Sequence, residues 1–172
     1  MKQYLLAVKE VFGIFFVAFL SVFLIHQFLA QPFLVQGASM EPNFKNGGYL
    51  LVDRVSYRFK EPEKGDVIIF RYPQNRSLFY IKRIVGLPGE KIEIKGGDLF
   101  VNNNLLEEEY LKPGTETSFF SVDKFILGKD QYFVLGDNRP FSFDSRRWGP
   151  INEKDIIGVV RVRFWPRLSF FF

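Results

Sequence analysis

The chain of 172 residues carries a formal net charge of +4, no cysteine and a single histidine, His26, which sits inside an apolar segment. The rest of the chain therefore cannot build a Ser-His-Asp triad, a Cys-His pair or a His-based zinc site, and serine with lysine is the main covalent option left. Basic and acidic residues interleave without a basic cluster, which argues against a nucleic-acid surface; the mild positive balance suits a neighbour of anionic lipid and plain solubility equally.

Residues 1–10 form a short tail with Lys2 and Lys9. From Val11 to Ala30 every residue except Gly13, Ser21, His26 and Gln27 is apolar, and none is formally charged. About 20 such residues cross the roughly 30 Å hydrocarbon core of a bilayer, so 11–30 is expected to be a transmembrane anchor helix. His26 lies near its far end, at the interface, with no acidic partner in the span for a proton relay. A cleavable signal peptide fits less well. The apolar run is too long, Phe28 is too bulky for the third-last position before a cut at Ala30, and Pro32 follows closely. Lys2 and Lys9 precede the span, while after it Lys45 is offset by Glu41. The positive-inside rule then puts the N-terminus in the cytoplasm and residues 31–172 outside.

Beyond Pro32, Phe33-Leu34-Val35 begins an extended segment, and Ser39 follows in a turn. The runs YLLVDRV, DVIIFRY, LFYIKRIV, KIEIK, DLFV, QYFVLG and GVVRVRFW read as strands. Gly96-Gly97, between KIEIK and DLFV, reads as a two-residue hairpin turn. A hairpin and loop excursion is expected over about 94–128, and a long loop over 137–149. The expected fold is mainly β, an antiparallel ectodomain closed or nearly closed into a barrel-like arrangement, behind one transmembrane helix. Most of the 22 phenylalanines are expected in the core, with the terminal run Phe170 to Phe172 readable as core or as a lipid contact.

A serine hydroxyl needs an adjacent base to attack an amide. Lysine serves only when neutral, which at its ordinary pKa holds for about 0.04% of molecules at pH 7. Desolvation that lowers the pKa to about 8 raises this to roughly a tenth. On a strand, Leu78, Tyr80, Lys82 and Ile84 share one face, so Lys82 is flanked by an aromatic and an aliphatic side chain. Phe79, Ile81, Arg83 and Val85 line the other face, and both faces read as mostly buried. Most turn serines and strand lysines are structural, however, and spacing alone leaves Ser39 and Lys82 undecided.

Several motifs stand together in order: Ser39-Met40-x-Pro42, Lys82-Arg83-x-x-Gly86-x-Pro88-Gly89, and Gly136-Asp137-Asn138-Arg139 followed by Ser142-x-Asp144-Ser145-Arg146. With the apolar segment and Lys64-Gly65-Asp66-Val67, they resemble the bacterial type I signal peptidases over nearly the whole chain. The resemblance implies Ser39 as nucleophile, Lys82 as general base and Ser142 as the residue orienting the lysine. It implies the Ser39 backbone N–H as one oxyanion donor, and Asp137, Arg139, Asp144 and Arg146 as positions that hold the catalytic region together by ion pairs. Phe33, Val35, Met40, Phe44, Tyr80 and Ile81 match residues lining shallow apolar sites, although each also reads as ordinary core. An extended substrate would add as a strand near 34–36 and 79–81.

The resemblance further implies cleavage of preprotein signal peptides after small residues at positions −1 and −3, at the bacterial cell membrane, by a monomer needing no metal or cofactor. Two departures stand out. Gly37 replaces a serine that in some members adds a hydroxyl to the oxyanion hole, and Pro140-Phe141 replaces a frequent Asp-Asn pair. Among rivals, a self-cleaving regulator should be soluble with a DNA-binding domain, and an inactive binding module would not need both Ser39 and Lys82. An aspartic site on Asp137 and Asp144 is disfavoured by the arginines beside them.

Overall fold

The computed structural model describes residues 2–24, 30–118, 124–165 and 167–171. Helix α1 covers Lys2–Leu24 and so takes in the expected tail as well as part of the expected span. It displays Phe12, Ile14, Phe15, Val17 and Phe19 to its surroundings. Its uncharged stretch, 11–24, is about 21 Å long at 1.5 Å per residue, short of a bilayer core of about 30 Å. Among the described residues no helix is long and apolar enough to cross a membrane. Residues 25–29 of the expected span, His26 included, lie outside the described residues, and Ala30 opens a strand instead of closing the helix.

The remainder is two antiparallel sheets. Strands β1 (Ala30–Leu34), β2 (Tyr49–Asp53), β3 (Val67–Tyr72) and β4 (Asn75–Gly86) come first. Strands β5 (Lys91–Lys95), β6 (Asp98–Val101), β7 (Asn104–Leu105) and β8 (Lys124–Ile126) form the smaller sheet, in the order β7-β6-β5-β8, within the expected excursion. Strand β9 (Gln131–Leu135), helix α2 (Ser145–Trp148) and strands β10 (Ile151–Asn152), β11 (Ile156–Arg163) and β12 (Ser169–Phe170) complete the chain. The larger sheet runs β1-β2-β11-β3-β4-β9-β10, with β12 added to β11.

Of the expected closed or nearly closed barrel, that order corrects the closed form, because among the described residues β1 and β10 pair with no further strand. Closure needs a ladder between the end strands. Pro32 in β1 has no N–H to contribute to one, and β10 is only two residues long. The hairpin at Gly96-Gly97 forms as the dipeptide suggests. Lys95 faces Asp98, and both glycines have positive φ, +62° and +92°, as the favoured tight turn requires.

Apolar runs rather than strict alternation mark β3 and β4 because both faces are covered. Ile69 and Ile81 join Val35, Met40, Phe44, Leu50 and Val52 in one core cluster. Ile68, Phe70 and Ile84 point the other way, into a cluster with Val134 and Ile151. Val85 enters a third cluster, with Phe133, Leu135 and the small sheet. Only the second half of β4 is covered in this way. Leu78 and Phe79 are exposed, because β9 pairs with β4 at Arg83, Ile84 and Gly86 and leaves the earlier part of that edge open. Near the C-terminus, Phe171 packs on the first cluster with its ring 5.1 Å from that of Phe44, while Phe170 is exposed and Phe172 lies outside the described residues.

Candidate active site

Ser39 sits half-buried in the turn joining β1 to β2, closed by hydrogen bonds from Glu41 N–H to the Ala38 carbonyl (3.1 Å) and from Phe44 N–H to the Met40 carbonyl (2.8 Å). Gly37 enters the turn at φ +92°, a value that side chains disfavour, and its N–H donates to Asn46 Oδ1 at 2.9 Å. A serine here would thus be strained.

Lys82 lies in β4 opposite Ile68, at the point where the strand becomes covered, and is only 4% exposed. Its Nζ donates to Ser39 Oγ at 2.7 Å and to the Ile81 carbonyl at 2.9 Å, and lies 5.6 Å from the Tyr80 ring centroid. Burial pushes its pKa down to about 8; the Asp144 and Asp137 carboxylates pull it partly back up, and Arg146 adds to the depression. At neutral pH an appreciable fraction of the amine is therefore unprotonated. In that state the same contact lets Ser39 O–H donate to the Nζ lone pair, the arrangement general-base catalysis needs.

The loop after β9 closes over this pair. At Gly136 a Cβ would lie 2.2 Å from Ser142 Oγ and 2.4 Å from the Ser39 carbonyl oxygen, so only glycine lets the loop lie against the serine's turn. Asp137 is gripped by Arg83 of β4, Nε to Oδ1 at 2.9 Å and Nη2 to Oδ2 at 2.7 Å, and accepts from Asn43 Nδ2 at 2.8 Å. The Arg83 guanidinium also stacks 4.0 Å from the Tyr110 ring centroid. Arg139 pairs with Glu108 through both of its terminal nitrogens. Asp144 holds Arg146 through two bonds of 2.8 Å and caps α2 by accepting from Arg146 N–H.

Asp137, Arg139, Asp144 and Arg146 each lie in an ion pair, Asp144 with Arg146. Asp137 and Arg139 take partners that spacing did not suggest, Arg83 and Glu108, and the one available signal was the acidic stretch in the excursion. Each loop aspartate faces a guanidinium and not the other carboxylate, which leaves no shared-proton pair. Ser142 is buried beside Gly136, yet its Oγ bonds to nothing among the described residues, Lys82 included. Among those residues no three His, Cys, Asp or Glu side chains gather to hold a metal ion.

Ser39 and Lys82 open into a groove of about 540 Å³ whose walls include Phe33, Val35, Tyr80 and Ile81. Met40 and Phe44, also expected there, lie in the core instead, and Met40 Sδ accepts from Asp137 N–H at 3.4 Å. Phe141 and Phe143, exposed on the loop, add an apolar wall that the motif reading did not include. The edge of β1 and the first half of β4, which on these sides pair with no further strand among the described residues, border the groove.

A serine and a buried amine in contact within a groove flanked by two strand edges describe a serine-type peptidase. The comparisons agree. The family model described as signal peptidase, peptidase S26, matches residues 8–165. Signal peptidase IB of Staphylococcus aureus strain COL is 37% identical over 169 residues, covering 90% of this chain and 87% of its own. Signal peptidase I P of Bacillus subtilis subsp. natto is 39% identical over 159 residues, covering 87% and 85%. A crystal structure of a signal peptidase I from Enterococcus faecalis V583 superposes with a TM-score of 0.50 at 32% identity, covering 58% of this chain and 97% of that one. The chain belongs to the signal peptidase family, peptidase S26, and is a serine peptidase.

Proposed function

We propose that this peptidase removes N-terminal signal peptides from exported preproteins by a Ser39–Lys82 dyad, cutting after small residues at positions −1 and −3. The observation that carries this is the 2.7 Å contact of Ser39 Oγ with a lysine that burial holds at a pKa of about 8. Neutral Lys82 takes the Ser39 proton as Oγ attacks the scissile carbonyl, then delivers it to the leaving amine as the C–N bond breaks. A water that gives its proton to Lys82 hydrolyses the acyl-enzyme, and the proton returns to Ser39. The Ser39 N–H supports the oxyanion. Ser142, buried in the loop after β9 with its Oγ unpartnered among the described residues, is the hydroxyl that orients the lysine. Asp137, Arg139, Asp144 and Arg146 hold that loop in place. The mechanism uses no metal or cofactor.

The substrate lies extended between β1 and β4, pairing near 34–36 and 79–81. Phe33, Val35, Tyr80 and Ile81 crowd the groove enough to favour small side chains, with Met40 and Phe44 beneath as backing. The apolar N-terminal segment tethers a monomer to the bacterial cell membrane, N-terminus cytoplasmic and the β domain outside. That tether is supported by the exposed apolar side chains of α1. The direct test is preprotein cleavage in detergent by the wild-type chain, Ser39→Ala and Lys82→Ala. Each substitution is expected to lower kcat by on the order of 10⁴-fold or more; near-wild-type processing by either one removes the dyad.

A further inference from the structure

Asn138 reaches from the loop after β9 to the turn that carries Ser39 and grips it at two consecutive carbonyls. Its backbone N–H donates to the Ser39 carbonyl at 3.0 Å, and its side-chain Nδ2 donates to the Ala38 carbonyl at 3.0 Å. A carbonyl oxygen only accepts, so the amide nitrogen, not the amide oxygen, must face Ala38. Within a planar trans peptide the C=O and the following N–H point in opposite directions. The Ala38 oxygen also accepts from Glu41 N–H at 3.1 Å within the turn, so Asn138 adds a second hold from outside the turn, and the Ser39 N–H is kept pointing away from both donors. Among the described residues that N–H donates to no group, whereas the Gly37 N–H is already committed to Asn46. Gly37 also has no side chain to supply a second donor, so the direction of the Ser39 N–H carries more weight here than in a site with a neighbouring hydroxyl.

We propose that Asn138 is a positioning residue for oxyanion stabilisation, fixing the Ala38–Ser39 peptide plane so that the Ser39 N–H meets the oxygen of the tetrahedral intermediate. The inference rests on Ser39 being the nucleophile, as proposed above. In that step the Oγ–carbon bond forms, the carbonyl π pair moves onto oxygen, and the Oγ proton passes to Lys82 Nζ. Asn138 exchanges no proton and touches no reacting atom. Its influence falls on the state in which the oxygen is charged, so it should be felt in kcat and not in substrate affinity.

The test uses the full chain in detergent as wild type, Asn138→Ala, Asn138→Asp and Ser39→Ala, with active sites counted by an acylating inhibitor. Asn138→Asp keeps the size and the backbone bond but replaces the side-chain donor with an acceptor. Measured quantities are kcat, KM and inhibition by a peptide boronate, whose tetrahedral adduct puts an oxygen where the oxyanion forms. Both Asn138 variants are expected to lower kcat per active site by roughly ten- to a hundredfold. KM should stay within about twofold and boronate affinity should fall by the same factor as kcat/KM. The pH of half-maximal rate should not move. Wild-type kcat per active site in both variants, a loss carried by KM, or undiminished boronate affinity would overturn the proposal. If Asn138→Ala does not fold, Asn138→Asp decides alone. Cleavage retained by Ser39→Ala removes the nucleophile itself; an inactive Ser39→Ala beside wild-type Asn138 variants removes only the role of Asn138.

Discussion

Burying Lys82 to 4% exposure works against the fold that does it. Its folded pKa, about 8, lies below the ordinary 10.5. Between those values the unfolded chain binds a proton that the folded chain does not, so stability rises as pH climbs from 8 to 10.5, and the cost is fully present below pH 8. The cost is on the order of 3 kcal/mol. Lys82→Met is therefore expected to abolish cleavage while raising the unfolding free energy at pH 7 by about 1–3 kcal/mol, with the gain shrinking toward pH 10.5. Denaturant titrations at the two pH values check it, and a destabilised variant at pH 7 would contradict it. Gly136 makes the opposite case. A methyl there collides with Ser142 Oγ and the Ser39 carbonyl together, so Gly136→Ala should lose at least about a hundredfold in kcat by displacing the loop. Steady-state kinetics on active-site-titrated enzyme measures it.

At the scale of elements, β4 does two jobs with adjacent residues. Lys82 faces the serine's turn, and Arg83 ties the strand to the loop after β9 through Asp137, a pair in which both side chains are buried. Removing one partner strands the other charge, so Arg83→Ala and Asp137→Ala should each cost about 3–5 kcal/mol, and the double variant clearly less than the sum. A double-mutant cycle on unfolding free energies checks this; additive losses would show that the pair is not coupled. The strands themselves were legible, since apolar runs bounded by glycine and proline mark β2, β3, β4, β9 and β11, and Gly96-Gly97 announces its turn. The pairing of Arg83 with Asp137 and of Glu108 with Arg139 was not. Those partners are 54 and 31 residues apart, and which charges meet is decided by strand order, not by local pattern. Met40 and Phe44 look like groove residues in the chain, because an apolar side chain near Ser39 suits a pocket or a core equally until the turn's direction is known.

For the molecule as a whole, the open edges matter more than closure would have. Alternation reports which face of a strand is buried but not whether the last strand meets the first, so full closure of the barrel was not legible, and Pro32 and the two-residue β10 leave the sheet unclosed. The edge of β1 and the uncovered first half of β4 border the Ser39–Lys82 groove, and an extended peptide can pair there. The apolar α1 lies at the N-terminal end of the same chain, with Phe15 and Phe19 exposed. Phe15→Lys combined with Phe19→Lys should release the protein from lipid vesicles in a flotation assay while leaving cleavage of a short soluble peptide intact; unchanged flotation would contradict the tether. The central claim, a buried lysine neutral enough to activate Ser39, is tested most directly by the pH dependence of kcat/KM on a peptide substrate. It should rise on a single acidic limb with an apparent pKa of about 8 and then level. A limb near the ordinary lysine value of 10.5, or none above neutrality, would contradict it.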